Sequence, residues 1–118
     1  MTPLTYQQVV TLSLAHDARF QSPNERIVAV LHYVVEKSDI WTIERLRLEG
    51  FGSTVLEAIE ALTKRPGEEF PQLVGRARQN TIARLVKRED IGDHLKYFPD
   101  GSTEKYLAGL ALLQEDNP

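Results

Sequence analysis

The residues best equipped for chemistry fall on two predicted helices. Over Pro23–Lys37, His32 and Glu36 stand four positions apart on one helical stripe with Val28 and Val35, a spacing that can aim an imidazole and a carboxylate into one cavity. These donor types hold borderline divalent cations and relay protons near neutral pH. In the segment after Asn80, the residues Ala83, Val86, Asp90, His94 and Tyr97 align within about 40° at 100° per residue. Asp90 is thus expected amid apolar neighbours, where a carboxylate is costly unless it is paired, hydrogen-bonded or bound to a metal. Each residue also has a structural reading. His32 can be a hydrogen-bonded histidine at the margin of a core, and Glu36 a solvated side chain near Arg26 and Lys37. Asp90 can pair with Lys87 at i−3 or with His94 at i+4. The basic pairs Lys87-Arg88 and Lys64-Arg65 fit solvated faces or helix ends, with a weak signal for phosphate.

Punctuation along the chain defines the elements that must carry these groups. Thr5-Tyr6-Gln7-Gln8 has capping-box form ahead of Val9, Val10, Leu12 and Leu14, and predicts a helix to about Arg19. Ser22-Pro23-Asn24-Glu25 combines an N-cap hydroxyl, a first-turn proline and an acid at the positive end of the dipole, and predicts a helix over Pro23–Lys37. After a turn at Asp39–Trp41, Thr42 opens a short helix ending at Gly50, and Ser53 caps another through about Lys64. Arg65-Pro66-Gly67-Glu68-Glu69 is a break. Helices are then expected over Phe70–Arg78, from the Asn80 cap to about Phe98, and from Ser102-Thr103 through Leu113, with Pro99-Asp100-Gly101 as a stop and Gln114–Pro118 as a polar tail. Trp41, Phe51 and Phe70 read as core or staple residues. Sustained period-two alternation and hairpin dipeptides are missing. The expected fold is therefore all-α, a single-domain bundle of six or seven helices spanning 1–118.

Composition narrows the function classes. At 118 residues, with 42% hydrophobic side chains, the chain should bury roughly two-thirds of its unfolded surface in one core without a staple. It contains no cysteine, which excludes thiolate catalysis, cysteine-ligated zinc and disulfide scaffolds and permits a reducing, cytoplasmic compartment. No stretch approaches the ~18 apolar residues of a membrane span, and the first residues lack a signal-peptide pattern. Acidic residues number 17 against 14 basic ones, for a net charge of −3, which argues against general nucleic-acid binding. Phosphate-cradling glycine loops, the Rossmann fingerprint, the zincin motif and the nucleophile elbow are likewise missing.

Several stretches together resemble one family. Arg26-Ile27-Val28-Ala29-Val30-Leu31-His32-Tyr33-Val34-Val35-Glu36-Lys37-Ser38-Asp39 looks like the His-Asp segment of the HD-domain phosphohydrolases, in the RelA/SpoT-type guanosine polyphosphate pyrophosphohydrolase branch. Thr42, Glu44, Leu46, Gly50-Phe51, Val55, Ala58, Ala61-Leu62-Thr63 and Gly67-Glu68 continue the likeness. Ala83-Arg84-Leu85-Val86-Lys87-Arg88-Glu89-Asp90-Ile91-Gly92-Asp93-His94 resembles the family's later aspartate-bearing helix. The resemblance covers about 26–113, with a weaker echo at Leu14-Ala15-His16. It implies an HD-domain-like bundle that binds one divalent metal, usually manganese, and activates water against a 3′-pyrophosphate, the Lewis-acid and nucleophile-generating roles of such an ion.

Carried over, His32 matches the histidine of the His-Asp pair, Asp90 the distant aspartate ligand, and Glu36 the first member of the acidic catalytic pair. Lys87 and His94 fall where substrate contacts are expected, His94 in place of an asparagine. The departures are as informative. Tyr33 stands where the family has aspartate, Lys37 where it has a second acid, and only Phe20-Gln21-Ser22-Pro23 fills the space of the segment bearing the first histidine. One imidazole and one carboxylate should hold a cation weakly, and Lys37 opposes deprotonation of water. The expectation is a metal-degenerate module without a cofactor, or with weakly held manganese, that binds a guanine nucleotide or a protein. The alternative is an active pyrophosphohydrolase with a site rebuilt from His32, Glu36, Asp90 and His16 or His94. Loss of a bundle helix should also expose apolar surface, predicting a homodimer or a protein partner over that face.

Overall fold

A computed structural model of the chain describes residues 22–97 and 103–114. Among these residues all regular structure is helical: α1 (Pro23–Lys37), α2 (Ile43–Leu48), α3 (Ser53–Leu62), α4 (Phe70–Arg78), α5 (Thr81–Tyr97) and α6 (Thr103–Gln114). The all-α expectation holds. The helix predicted over Thr5–Arg19, with His16, lies outside the described residues, as do Phe98, the stop at Pro99-Asp100-Gly101 and residues 115–118. No described helix is long and apolar enough to cross a membrane.

Local chemistry explains most boundaries. At α1 the Ser22 hydroxyl accepts from the Glu25 amide at 3.1 Å and the Glu25 carboxylate accepts from the Ser22 amide at 3.1 Å, a complete capping box. Thr42 caps α2 by accepting from the Arg45 amide, and Asn80 caps α5 by accepting from the Ala83 amide. Past the end of α2, Gly50 adopts φ +103°, its amide donates to Arg47 O, and the Phe51 amide donates to Leu46 O. These paired bonds form a Schellman ending, with Phe51 and Leu46 both buried as its hydrophobic contact. Two boundaries differ from expectation. Gly52, not Ser53, is the N-cap of α3, and α3 stops at Leu62 because Thr63 turns extended, its hydroxyl donating back to Ile59 O at 2.7 Å. At the expected break, the Glu68 amide donates to Arg65 O across Pro66-Gly67, and φ +75° at Gly67 is what a type II turn requires at its third position.

The bundle has two apolar centres. The larger joins Ile27, Val28 and Leu31 of α1 with Trp41, Leu46, Phe51, five residues of α3, Ala77 of α4, and Ala83 and Val86 of α5. The smaller joins Val74 of α4, Ile91 of α5 and Leu113 of α6, flanked by Phe70, Leu95, Tyr106, Leu110 and Leu112. Helix α5 therefore serves both. Its buried direction rotates by roughly a third of a turn between Ala83/Val86 and Ile91/Leu95. Helix α6 docks on α4 and α5, and Arg84 of α5 reaches across to donate from Nε to Leu113 O at 2.6 Å, placing a cation on a carbonyl in the last turn of α6.

Gly109 of α6 lies under the Phe70 ring, and a Cβ there would stand 2.7 Å from Phe70 Cε2 and 3.4 Å from Ile91 Cδ1. Helix propensity alone would favour alanine by about 1 kcal/mol. Overpacking costs about 1–3 kcal/mol and should win, because the ring is already wedged edge-on against Tyr106 at 5.1 Å. Gly109→Ala is accordingly expected to lower the thermal midpoint, and a raised midpoint in a melting experiment would refute this packing.

Candidate functional site

His32 lies in the third turn of α1, half-buried beside the larger core. Its Nδ1 donates to Val28 O at 3.2 Å. That bond leaves Nε2 as the acceptor nitrogen of the neutral ring, the tautomer a metal or a proton donor would meet. Glu36, one turn further, is exposed, as are Tyr33 and Lys37. The Lys37 ammonium sits 5.6 Å from the centre of the Tyr33 ring. At the two positions where the resemblance calls for acids, the chain thus carries a cation and an aromatic ring in contact with each other. The buried face of α1 is Ile27, Val28 and Leu31, while Val30 and Val34 are half-exposed.

Asp90 corrects an expectation. Its side chain is 50% exposed and pairs with Lys87 Nζ at 3.5 Å, so it does not sit amid apolar neighbours. The turn of α5's buried direction explains this, for Ile91 takes the core position and Asp90 the adjacent solvent-facing one. A carboxylate there needs no metal to offset its burial. The i−3 pairing with Lys87 is the structural alternative raised for this residue, and such pairs contribute a few tenths of a kcal/mol.

Lys87 and His94, the expected substrate contacts, lie two turns apart on α5 and belong to one cluster. His94 stacks on Tyr106 with ring centroids 3.9 Å apart and planes inclined by 26°. Tyr106 meets Phe70 edge-on, and the Lys87 ammonium lies 5.6 Å from the Phe70 centroid. Lys105 adds a second ammonium 4.8 Å from Phe70 and 5.4 Å from Tyr106. Sequence reading missed Lys105 and Tyr106, which carry no motif and reach the cluster through the docking of α6.

A second group it missed is Arg76. From α4 its Nε and one terminal nitrogen grip both Glu68 oxygens at 2.7 and 2.8 Å, while the guanidinium also donates to Thr63 O at 2.7 Å and Glu60 O at 3.1 Å. One side chain thereby ties the end of α3, the Pro66-Gly67 turn and α4 together. The Arg76 hydrogen bonds, reinforced by the Arg65 amide, hold the Glu68 carboxyl down at about 2 from its usual 4.5, and the carboxylate in turn raises the Arg76 value. The signal available in sequence was the Gly67-Glu68 turn followed by an arginine two helical turns on.

Among the described residues, no three His, Asp or Glu side chains gather into a group able to hold a metal ion. With Asp90 turned to solvent and paired to Lys87, the donor set described here does not fit the four-ligand centre that the resemblance implies. The chain matches no protein-family model and no curated protein.

Proposed function

We propose that the protein is a metal-degenerate relative of the HD-domain phosphohydrolases, guanosine polyphosphate branch, serving as a binding or regulatory module for a guanine nucleotide or a protein partner. The quoted stretches on α1, α2, α3 and α5 support the kinship. So does the packing of α1, which carries His32, against α5, which carries Asp90. The observation that carries the loss of catalysis is the placement of Asp90 in solvent as the ion-pair partner of Lys87. Tyr33 and Lys37, in the places of two acids, add to it, since neither supplies the negative charge that attracts a divalent cation. A partner in this reading, whether a second copy or another protein, covers apolar side chains such as Tyr33, Ile40 and Leu48, which are 58%, 67% and 76% exposed.

One observation favours the second reading, an active metal-dependent pyrophosphohydrolase rebuilt around His32, Glu36, Asp90 and His16 or His94. The His32 bond to Val28 O holds the ring in the tautomer whose Nε2 is able to ligate. Manganese titration and a pyrophosphate-release assay on guanosine tetraphosphate separate the two. The binding-module reading expects neither stoichiometric sub-micromolar metal nor turnover above background, and the same result for His32→Ala and Asp90→Ala. Turnover abolished by both substitutions would establish the enzyme instead.

A further inference from the structure

We infer that the outer face of α6 is a self-association surface, on which a second copy of this chain lays its own α6 antiparallel. Tyr106 to Leu113 is a run of eight residues without a charge, apolar but for the Tyr106 hydroxyl. A helix that is apolar all round is ordinarily buried all round, yet here one side alone is covered. Tyr106, Gly109, Leu110 and Leu113 belong to the smaller core against α4 and α5. On the opposite side Glu104, Leu107, Ala108 and Ala111 are exposed, Leu107 by 53%. Their spacing of i, i+3, i+4 and i+7 sets them within about 100° of one another, the stripe a helix presents to a neighbouring helix. The exposed residues of α3 show the contrast, for they are Ser53, Thr54, Glu57 and Glu60, a polar face suited to water. The α6 stripe lies on a different helix from Tyr33, Ile40 and Leu48, and the inference does not rest on the proposed kinship.

Charge and shape select the occupant. The ionised residues of α6 are Glu104 and Lys105, both in its first turn. Two copies side by side in parallel would set Glu104 against Glu104 and Lys105 against Lys105, with their helix dipoles aligned. An antiparallel pair that levels Ala108 with the other copy's Ala111 separates the two Glu104 positions by about 16 Å along the axis, roughly twice the Debye length in physiological salt. It also opposes the dipoles. At its centre the small Ala108 and Ala111 side chains allow close approach of the two backbones, and each Leu107 falls beside the other copy's Ala111, bulky against small. The surface is thus complementary to itself under a two-fold axis, as an isologous contact requires. A helix of 12 residues is only about 18 Å long, so the contact falls well short of the ~800 Å² per partner of a standard interface. The dimer is accordingly weak and concentration-dependent.

Sedimentation equilibrium of the full chain from roughly 10 to 500 µM tests the surface, the range in which a contact below standard size associates. The average mass is expected to rise from one chain toward two. Leu107→Glu and Ala111→Glu, both at exposed positions, should each weaken association at least tenfold, while Leu48→Glu, the same added charge on α2, should leave it unchanged. The chain has no cysteine, so engineered ones report orientation cleanly. On oxidation of an equimolar mixture, Ala108→Cys and Ala111→Cys chains should form the mixed disulfide in preference to either homotypic one. A monomer at 500 µM would overturn the inference, as would a dimer lost with Leu48→Glu and kept with Leu107→Glu. A fall in the thermal midpoint of the dilute monomer on Leu107→Glu would assign the face to another segment of the same chain instead. Predominance of homotypic disulfides would overturn the antiparallel arrangement.

Discussion

Replacing Leu46 with alanine is expected to cost about 3 kcal/mol of unfolding free energy, measured by urea denaturation, with little change in the slope of the transition. Leu46 is fully buried in the larger core. Its loss removes the transfer free energy of the side chain and leaves a cavity that neighbours such as Phe51 and Ile59 can close only in part. The residue has a second role that raises the expected effect. Its carbonyl accepts the Phe51 amide in the ending of α2, where the packing of Phe51 on Leu46 holds the chain as it turns through Gly50 into α3. A loss below about 1 kcal/mol would mean that α2 is loosely docked, contrary to the full burial of Leu46.

Arg76→Ala is expected to be the costliest polar substitution, at about 2 kcal/mol. The guanidinium is 21% exposed, so its bonds are partly screened, but its removal strips donors from Thr63 O, Glu60 O and both Glu68 oxygens at once. Lysine should rescue little, since a single ammonium cannot reproduce the fork that reaches a carboxylate and two carbonyls. The same pair sets a pH dependence. The Glu68 carboxyl is held well below its unfolded value, so its contribution is complete above about pH 4.5 and is lost as pH falls toward 2. Glu68→Gln should therefore flatten the acid limb of the stability curve over that window. An unchanged acid limb, followed by circular dichroism across pH 2–5, would show that the clasp is not formed in solution.

These expectations rest unequally on what was readable before the fold was known. Ser22, Thr42 and Asn80 were legible as caps because a cap depends on groups within three residues of itself, and all three caps form. The Pro66-Gly67 turn was legible for the same reason. The ends of α3 were not, because Gly52 and Thr63 are neither strong starts nor strong stops, and the helix ends where packing and the Arg76 clasp place it.

The candidate site divides in the same way. His32 and Lys87 keep the neighbours that their own helices supply, Val28 O four residues back and Asp90 three residues on. Asp90 was misplaced because helical periodicity gives angles about one axis, not the direction in which the core lies, and α5 faces one core in its first half and another in its second. The gathering of Phe70, Lys87, His94, Lys105 and Tyr106 could not be foreseen, since it depends on α6 lying across α4 and α5. Residue order alone settled the helical class, most element boundaries and the chemical inventory, because those arise from contacts a few residues apart. Which side chains meet across helices, and whether a carboxylate faces core or water, was set by long-range packing, where the burial of one apolar surface against another decides the rotation of every helix about its axis.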